Sequence, residues 1–140
     1  MSKLAIKIQK VKEEDIKQFA KEQWALINKE FGMEPWETFF FAAYKDWRLV
    51  GFTKIELRGD VAELRQILVH KDFRKQGIGG RLLKYFESFA RRNNCRKVVL
   101  RVPNAYKEAI KFYKNREYKI EATLKNFYFG FNWYYMSKVL

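Results

Sequence analysis

Apolar positions along the 140-residue chain follow two spacings, one typical of strands and one typical of helices. Alternation over residues 4–11 predicts a first strand. Acidic residues 13–15 then favour the start of a helix, because a helix N-terminus attracts negative charge. Apolar side chains follow at intervals of three and four, and Gly32 ends the pattern. This helical face consists of Ile16, Phe19, Ala20, Trp24 and Ile27.

The rest of the chain predicts six strands and two further helices. Three strands, over 38–44, 49–57 and 61–69, are separated by short polar turns and predict antiparallel hairpins. A helix then carries an apolar stripe from Ile78 to Ala90. A strand over 97–102, a helix over 104–115 and two aromatic strands, over 118–129 and 131–139, complete the order β-α-β-β-β-α-β-α-β-β. We therefore expect an α/β (α+β) fold with a mixed sheet and helices on both faces.

Composition predicts one folded domain over residues 1–140. Apolar residues make up 48% of the chain and aromatic residues 18%, which excludes a disordered protein. No run of about 18 apolar residues is present, and charges interrupt the N-terminal segment, so neither a membrane helix nor a signal peptide is expected. A single Cys95 and a single His70 argue against a disulfide or a metal site. A reduced, cytoplasmic setting is the expectation.

Net charge adds an expectation about partners. The chain carries 29 Lys and Arg against 16 Asp and Glu, a balance of +13. Such an excess of one sign favours an anionic partner. Nucleic acid, a phosphorylated cofactor and an acidic protein all satisfy it, and composition does not choose among them.

The segment Arg74-Lys75-Gln76-Gly77-Ile78-Gly79-Gly80 carries the candidate chemistry. It joins a strand to an amphipathic helix. The first amide groups of a helix have no partner inside the helix and carry partial positive charge. Glycines at that point let a phosphate approach the backbone. We therefore expect the amides of residues 76–80 to bind a phosphate or pyrophosphate, with added charge from Arg74 and Lys75.

Three known phosphate-binding loops compete for this segment. A nucleoside-triphosphate P-loop needs Gly-Lys-Ser/Thr, whereas the chain has Gly-Gly-Arg at 79–81. The dinucleotide loop needs a third glycine where Leu82 stands. The pattern Q/R-x-x-G-x-G/A is satisfied in full by residues 74–79.

With this loop, its preceding strand and the Ala-Ile-Lys-Phe-Tyr segment at 109–113, the chain resembles the GNAT superfamily of acetyl-CoA-dependent N-acetyltransferases. The resemblance covers nearly the whole chain. It implies a mostly antiparallel central sheet of about seven strands. It also implies acetyl-CoA as cosubstrate, no metal, and transfer of an acetyl group to a primary amine by direct attack in a ternary complex.

The resemblance also assigns roles to residues. The backbone of Ile67, Leu68 and Val69 is expected to hold the pantetheine arm of coenzyme A, with the N–H of Leu68 as oxyanion donor. Tyr113 matches the tyrosine that protonates the departing thiolate. The reference pKa values of a thiol, about 8.5, and of tyrosine, about 10, are close enough that this proton transfer is nearly balanced. The expected cofactor contacts are Ile67, Leu68, Val69, Arg74, Lys75, Gln76, Gly77, Ile78, Gly79, Gly80, Asn104, Tyr106 and Tyr113.

The general base is assigned by position. Some members carry a glutamate where this chain has Arg101, and a protonated arginine cannot take up a proton. Others place a glutamate six residues before the strand-ending valine, and that count from Val69 gives Glu63. Glu63, acting directly or through water, is therefore the expected base, and Glu56 is the reserve. A solvated strand carboxylate paired with Arg65 or Lys54 is the alternative.

Other features leave the biological context open. The rings at 127–135 are expected to divide between the core and the acceptor cleft, and Trp36 with Glu34 and Glu37 would flank that cleft. His70 is expected in an exposed loop and Cys95 in the core. The acceptor is a small molecule, a protein N-terminus or a lysine. Contact with nucleic acid or a ribosome and a homodimer are possibilities. A catalytically silent module that binds nucleic acid or senses acyl-CoA is the alternative function.

Overall fold

The computed structural model describes residues 5–33 and 36–140. The chain forms two compact units, residues 1–35 and residues 36–140. The expectation of one domain over 1–140 stays a prediction. Leu4, Glu34 and Pro35, which belong to the predicted first strand and to the connection after the first helix, lie outside the described residues.

The first unit contains one helix, α1 (Glu13–Phe31). The backbone N–H of Lys12 donates to the Asp15 carboxylate at 3.0 Å, and three acidic residues occupy the first turn. Gly32 ends the helix in the left-handed conformation at φ 67°. The predicted strand over 4–11 is wrong for its described part, because residues 5–12 form no regular structure. An alternating sequence gives a strand one apolar and one polar face, but a strand also needs a neighbouring strand to which it can hydrogen-bond. The described part of this unit contains no such neighbour.

The second unit is a six-stranded sheet with two helices. Its elements are β1 (Glu37–Lys45), β2 (Arg48–Arg58), β3 (Val61–Val69), α2 (Ile78–Arg92), β4 (Lys97–Pro103), α3 (Lys107–Lys114), β5 (Lys119–Leu124) and β6 (Trp133–Val139). The strand order is β1-β2-β3-β4-β6-β5, and only β3 and β4 run parallel. A mixed, mostly antiparallel sheet is therefore confirmed, with six strands instead of about seven.

One face of the sheet carries the hydrophobic core. Val98, Leu100 and Val102 of β4 are buried in it, and the alternate residues of that strand face the other way. Phe86 of α2 and Ile110 of α3 belong to the same core, so both helices cover this face. The expectation of a helix on the second face stays a prediction, since α1 belongs to the other unit.

The last two strands are shorter than predicted. Residues 125–132 form a loop that contains a 3-10 turn at Tyr128–Gly130. Asn126 and Phe129 have φ values of 45° and 60°, and the side chain of Asn132 accepts the Asn126 N–H at 2.9 Å. This local bonding competes with the strand ladder. The expected division of these rings between core and cleft therefore fails in the loop, where none is buried and Phe129 is 91% exposed.

Candidate active site

Strands β3 and β4 pair over only part of their length. Their parallel register runs from Val61↔Lys97 to Leu64↔Leu100 and stops there. β3 continues to Val69 and β4 to Pro103. The β2–β3 register shifts between Lys54 and Ile55, which leaves Arg65 without a counterpart on β2. Beyond this bulge the facing edges of β3 and β4 have no backbone partner in each other. An extended ligand can therefore pair with them as an added strand.

The register decides which backbone groups of β3 face β4. The N–H of His70 donates to the carbonyl of Val50 at 2.8 Å, so these two residues form a hydrogen-bonded pair. The pair Phe52↔Leu68 lies two positions away along the same register. Hydrogen-bonded pairs alternate along an antiparallel ladder, so the N–H of Leu68 points to β2. The N–H groups of Ile67 and Val69 point toward β4. The expectation that the Leu68 N–H acts as oxyanion donor is contradicted by this register.

Gly51 confirms the direction of the Leu68 backbone. A Cβ atom on Gly51 would lie 2.8 Å from the carbonyl oxygen of Leu68, which therefore also faces β2. The hydroxyl of Thr53 donates to the carbonyl of Gln66 at 3.0 Å on the same side. Even-numbered residues of this segment thus bond to β2, and odd-numbered residues present their backbone to the open edge.

The loop after β3 is built by local hydrogen bonds. The ring nitrogen Nδ1 of His70 accepts the N–H of Asp72 at 3.1 Å and begins the 3-10 turn Lys71–Phe73. Arg74 donates from Nε to the carbonyl of Val69 at 3.2 Å. Arg74 thus fixes the loop to the end of β3, a role that the sequence did not predict. His70 is a loop residue with a partly exposed side chain, as expected.

Helix α2 begins with an open row of amide groups. Gly77, at φ 82°, precedes the helix and provides no side-chain cap. The first helical bond runs from the N–H of Arg81 to the carbonyl of Gly77 at 3.1 Å. The amides of residues 78–80 consequently have no acceptor inside the helix. Within residues 5–33 and 36–140, no atom lies within 4 Å of a Cβ placed on Gly77, and the first turn contains no acidic residue. This geometry suits an anion.

A further cation, Arg116, lies beside this helix start. Its Nη2 atom is 3.1 Å from the position that a Cβ on Gly80 would occupy. Its guanidinium lies 3.8 Å from the ring centre of Phe112 and donates from Nη1 to that residue's carbonyl at 3.0 Å. Sequence analysis missed Arg116, because the contact joins the end of α3 to α2, 36 positions away. The absence of a side chain at Gly80 is the only local signal for it.

The other predicted cofactor contacts are spread around this loop. Lys75 has a φ of 61°, and the side chain of Gln76 accepts from the ammonium of Lys45 at 3.2 Å. Asn104 donates its N–H to the carbonyl of Asn132 at 2.9 Å. Tyr106 precedes α3 and is 63% exposed. Their roles toward a cofactor stay predictions.

Tyr113 is buried on α3, with 7% of its surface exposed. Its ring packs edge-on against Phe112 and Tyr118. Burial raises the pKa of its phenol to about 12. Among the described residues none forms a hydrogen bond with its hydroxyl, so that group is free to donate to a ligand.

Glu63 lies on the face of the sheet opposite the core, since Ala62 and Leu64 on either side point into the core. Its carboxylate is 3.3 Å from Nε of Arg101 and 3.6 Å from Nη1 of Arg65. The expected pairing with Arg65 is present. Lys54 instead lies over a phenylalanine ring. The contact with Arg101 joins β3 to β4 and was not predicted.

A cavity of about 550 Å³ lies between β1, β2 and α2. Phe41, Val50 and Leu82 form part of its apolar wall, and Lys45 and Arg81 add positive charge. It includes neither residues 67–69 nor Tyr113. The cavity therefore adjoins the glycine loop but is separate from the divergence of β3 and β4.

Several expectations concern sites outside this region. Cys95 is buried, as predicted. Within residues 5–33 and 36–140, no three His, Cys, Asp or Glu side chains gather in a way that would hold a metal ion. No helix in the described part of the chain has the length and apolar character needed to cross a membrane.

Comparisons with known proteins give the family. The profile of the acetyltransferase (GNAT) family matches residues 7–118. A probable N-acetyltransferase 14 of Xenopus tropicalis is 32% identical over 94 residues, which cover 66% of this chain and 42% of that protein. An uncharacterized N-acetyltransferase of Methanocaldococcus jannaschii is 32% identical over 115 residues, covering 76% of this chain and 50% of that protein. The chain thus spans about half the length of these relatives.

Solved structures agree with this assignment. Ard1 from Thermoplasma volcanium superimposes with a TM-score of 0.69 and 31% identity, covering 72% of this chain and 70% of that one. A GNAT family acetyltransferase from Elizabethkingia anophelis, solved with acetyl-CoA bound, gives a TM-score of 0.71 at 21% identity, over 83% and 82% of the two chains. These structures share the fold, and the profile, which covers most of the sequence, shows that the chain belongs to the acetyltransferase (GNAT) family.

Proposed function

We propose that the protein transfers an acetyl group from acetyl-CoA to a primary amine by direct attack in a ternary complex. The observation that carries the proposal is the divergence of β3 from β4 beside the open amides of α2. The Elizabethkingia anophelis neighbour was solved with acetyl-CoA bound, and Arabidopsis thaliana Naa50 with the bisubstrate analogue CoA-Ac-MVNAL. The latter superimposes with a TM-score of 0.66 at 26% identity, over 72% of each chain.

The described residues fit this cosubstrate. Backbone groups of Ile67 and Val69 are directed to the open edge, where an amide-containing arm can pair with them. The amides of residues 78–80 and the open space at Gly77 suit a diphosphate. Arg116 adds a positive charge beside the same helix start. The proposal therefore keeps the expected loop and adds Arg116 to it.

We assign the oxyanion contact to Ile67 in place of Leu68. Negative charge develops on the thioester oxygen during attack, and an N–H directed at that oxygen stabilises it. The N–H of Ile67 points to the open edge near the end of the β3–β4 ladder, while that of Leu68 is used by β2. Of these two N–H groups, that of Ile67 is therefore the one that can donate to a thioester carbonyl in the crevice.

Tyr113 supplies the proton for the leaving sulfur. A thiol has a reference pKa of about 8.5, below the value of about 12 for Tyr113. Burial that disfavours a phenolate also disfavours a thiolate formed in the same crevice, so the two pKa values rise together. Tyr113 remains protonated at neutral pH and donates first a hydrogen bond and then a proton as the carbon–sulfur bond breaks.

Glu63 is the proposed acceptor of the amine proton, directly or through water. The nitrogen must lose one proton as it bonds to the carbonyl carbon. Glu63 lies on β3 next to the point where the strands diverge, and two guanidinium groups hold its carboxylate in place. Glu56 lies directly opposite on β2 and is the reserve.

Titration calorimetry with acetyl-CoA tests the proposal first. We expect binding that weakens when Gly77 is replaced by Val, because a β-branched residue resists a φ of 82° and covers the amides. Free-thiol release with an amine then tests transfer. Absence of binding at millimolar cofactor contradicts the proposal, and binding without thiol release for any amine favours an acyl-CoA sensor. A cytoplasmic setting, a homodimer and contact with nucleic acid or a ribosome stay predictions.

A further inference from the structure

We propose that the amine acceptor carries a carboxylate close to its amine, and that Arg101 and Arg65 recognise this carboxylate. The inference rests on the proposed function and narrows its substrate class. This carboxylate can be the α-carboxylate of a free amino acid or the acidic side chain of a peptide's first residue. The experiment separates these two sources.

The first argument is the position of Arg101. It follows Leu100, the last residue of β4 that pairs with β3, so it lies where the two strands begin to diverge. Arg65 is the bulged residue of β3 at the same level. Both guanidinium groups reach Glu63, at 3.3 Å for Arg101 and 3.6 Å for Arg65. The two cations therefore flank the inner end of the crevice in which we place the thioester.

The second argument is the direction of approach. Within residues 36–140, α2 and α3 fill the core face of the sheet, where Tyr113 is buried. The amine reaches the crevice from the opposite face, which carries Glu63 and Arg101. An acceptor that enters there passes both guanidinium groups.

The third argument is the charge of that face around the divergence. Lys54, Arg58, Arg65 and Arg101 oppose Glu56 and Glu63, which leaves 4 − 2 = +2. Both carboxylates are already paired, Glu56 with Arg58 at 2.8 Å and Glu63 with Arg101. This balance repels a polyamine or an aminoglycoside and attracts an acid.

The fourth argument is the unused donor capacity of Arg101. It meets Glu63 through Nε, and among the described residues no hydrogen bond engages its two terminal nitrogens. Its side chain is 19% exposed and that of Arg65 is 32% exposed, so both can be reached. Guanidinium groups bind carboxylates in a planar, two-pronged geometry, which a lysine cannot reproduce.

The test compares acceptors of different charge. Three tripeptide amides with identical second and third residues begin with aspartate, asparagine and lysine, and free asparagine and spermidine complete the set. Thiol release gives kcat/KM for each. We expect the aspartyl peptide to exceed the asparaginyl peptide by about tenfold or more, and the lysyl peptide and spermidine to be the poorest. If free asparagine exceeds the aspartyl peptide, the α-carboxylate is the source, and the reverse identifies the peptide side chain.

Variants locate the effect. Arg101→Gln removes the charge, while Glu63 keeps Arg65 as a partner. We expect it to lower the ratio of kcat/KM for the preferred acidic acceptor to that for the asparaginyl peptide about tenfold, whereas a disturbance of Glu63 lowers both rates alike and leaves this ratio unchanged. Arg101→Lys restores only part of the lost preference, because lysine keeps the positive charge but cannot bind a carboxylate through two parallel N–H groups. Arg92→Gln, an exposed arginine on α2, is the matched control and leaves the preference intact.

The outcomes separate the inference from the proposed function. Equal rates for the aspartyl peptide, the asparaginyl peptide and free asparagine, or preference for spermidine, overturn the inference while thiol release still supports acetyl transfer. An equal loss for all acceptors in Arg101→Gln overturns the role of Arg101. No thiol release from any acceptor, with acetyl-CoA unbound, overturns the proposed function itself. The acceptor comparison uses the unaltered protein, so a variant that fails to fold does not affect it.

Discussion

The hydroxyl of Tyr118 donates a 2.8 Å hydrogen bond to the carboxylate of Glu87 inside the second unit. The ammonium of Lys138 contacts the same carboxylate at 3.2 and 3.3 Å. The backbone N–H of Tyr118 donates to the carbonyl of Tyr113 at 3.1 Å, and the two rings meet with centres 5.7 Å apart. Helix α2 and β6 are thus joined to Tyr118, which packs directly against Tyr113, the residue that we assign as proton donor.

Replacing Tyr118 by Phe is expected to destabilise the protein. The change removes a buried hydrogen bond to a charged carboxylate, whose oxygens then keep Lys138 as their donor, and this loss costs about 1.5–3 kcal/mol of unfolding free energy. Urea unfolding followed by circular dichroism measures the loss. Tyr128→Phe is the control, because Tyr128 is about half exposed. Equal stability of the two variants would show that the buried hydrogen bond contributes nothing.

Gly51→Ala is expected to weaken both folding and acetyl-CoA binding. Its Cβ would lie 2.8 Å from the carbonyl oxygen of Leu68 and 3.2 Å from Cδ1 of Leu82. β3 must shift to relieve the contact with Leu68, which costs about 1–3 kcal/mol and moves the backbone of Ile67. Gly59→Ala is the comparison, because no atom lies within 4 Å of its Cβ and only the φ of 60° is strained. Unchanged acetyl-CoA affinity in folded Gly51→Ala would contradict the role of the β3 edge.

Local patterns predicted most of the second unit. Helix α2 and strands β1 to β4 appear within a few residues of their predicted bounds, because their apolar spacing agrees with their packing. The glycine loop was also recognised, since its chemistry lies within seven consecutive residues. The predictions of a strand over 4–11 and of long C-terminal strands were wrong. A strand forms only where a partner strand is available, and local turns can compete with it.

The site contacts that the sequence did not predict join residues that are far apart along the chain. Arg101 reaches Glu63 across the β3–β4 junction, and Arg116 reaches Gly80 from the turn that follows α3. Neither contact has a signal within a short window of sequence. The choice between Leu68 and Ile67 depends on the alternation of hydrogen bonds after the bulge at Arg65. A bulge shifts register by one residue, and the sequence does not reveal it.

Tyr113→Phe is expected to lower kcat by about tenfold to a hundredfold with little change in acetyl-CoA affinity, because it removes one proton donor and no bulk. Thiol-release kinetics give kcat, and calorimetry gives the affinity. Tyr85→Phe is the control, since Tyr85 lies 42% exposed on α2. A kcat equal to that of the control would remove the assigned role of Tyr113.

Glu63→Gln is expected to shift the pH–rate profile toward alkaline pH. Without this carboxylate, more of the amine must lose its proton to solvent before attack. The measurement is kcat/KM against pH with a single acceptor, and Glu56→Gln is the matched variant on the opposite strand. A shift in Glu56→Gln alone would transfer the role to Glu56. An unmoved profile in both variants would make Glu63 a structural partner of Arg65 and Arg101.

Stability is expected to fall as pH rises above 10. Burial raises the pKa of Tyr113 to about 12, whereas an unfolded tyrosine titrates at about 10. Between these values the folded state binds more protons than the unfolded state, so the unfolding free energy decreases with pH. Tyr113 alone accounts for a loss of about 2–3 kcal/mol by pH 12. Urea unfolding at pH 8 and pH 11 measures the slope, which Tyr113→Phe should reduce relative to Tyr85→Phe, and identical slopes in both variants would show that Tyr113 titrates normally.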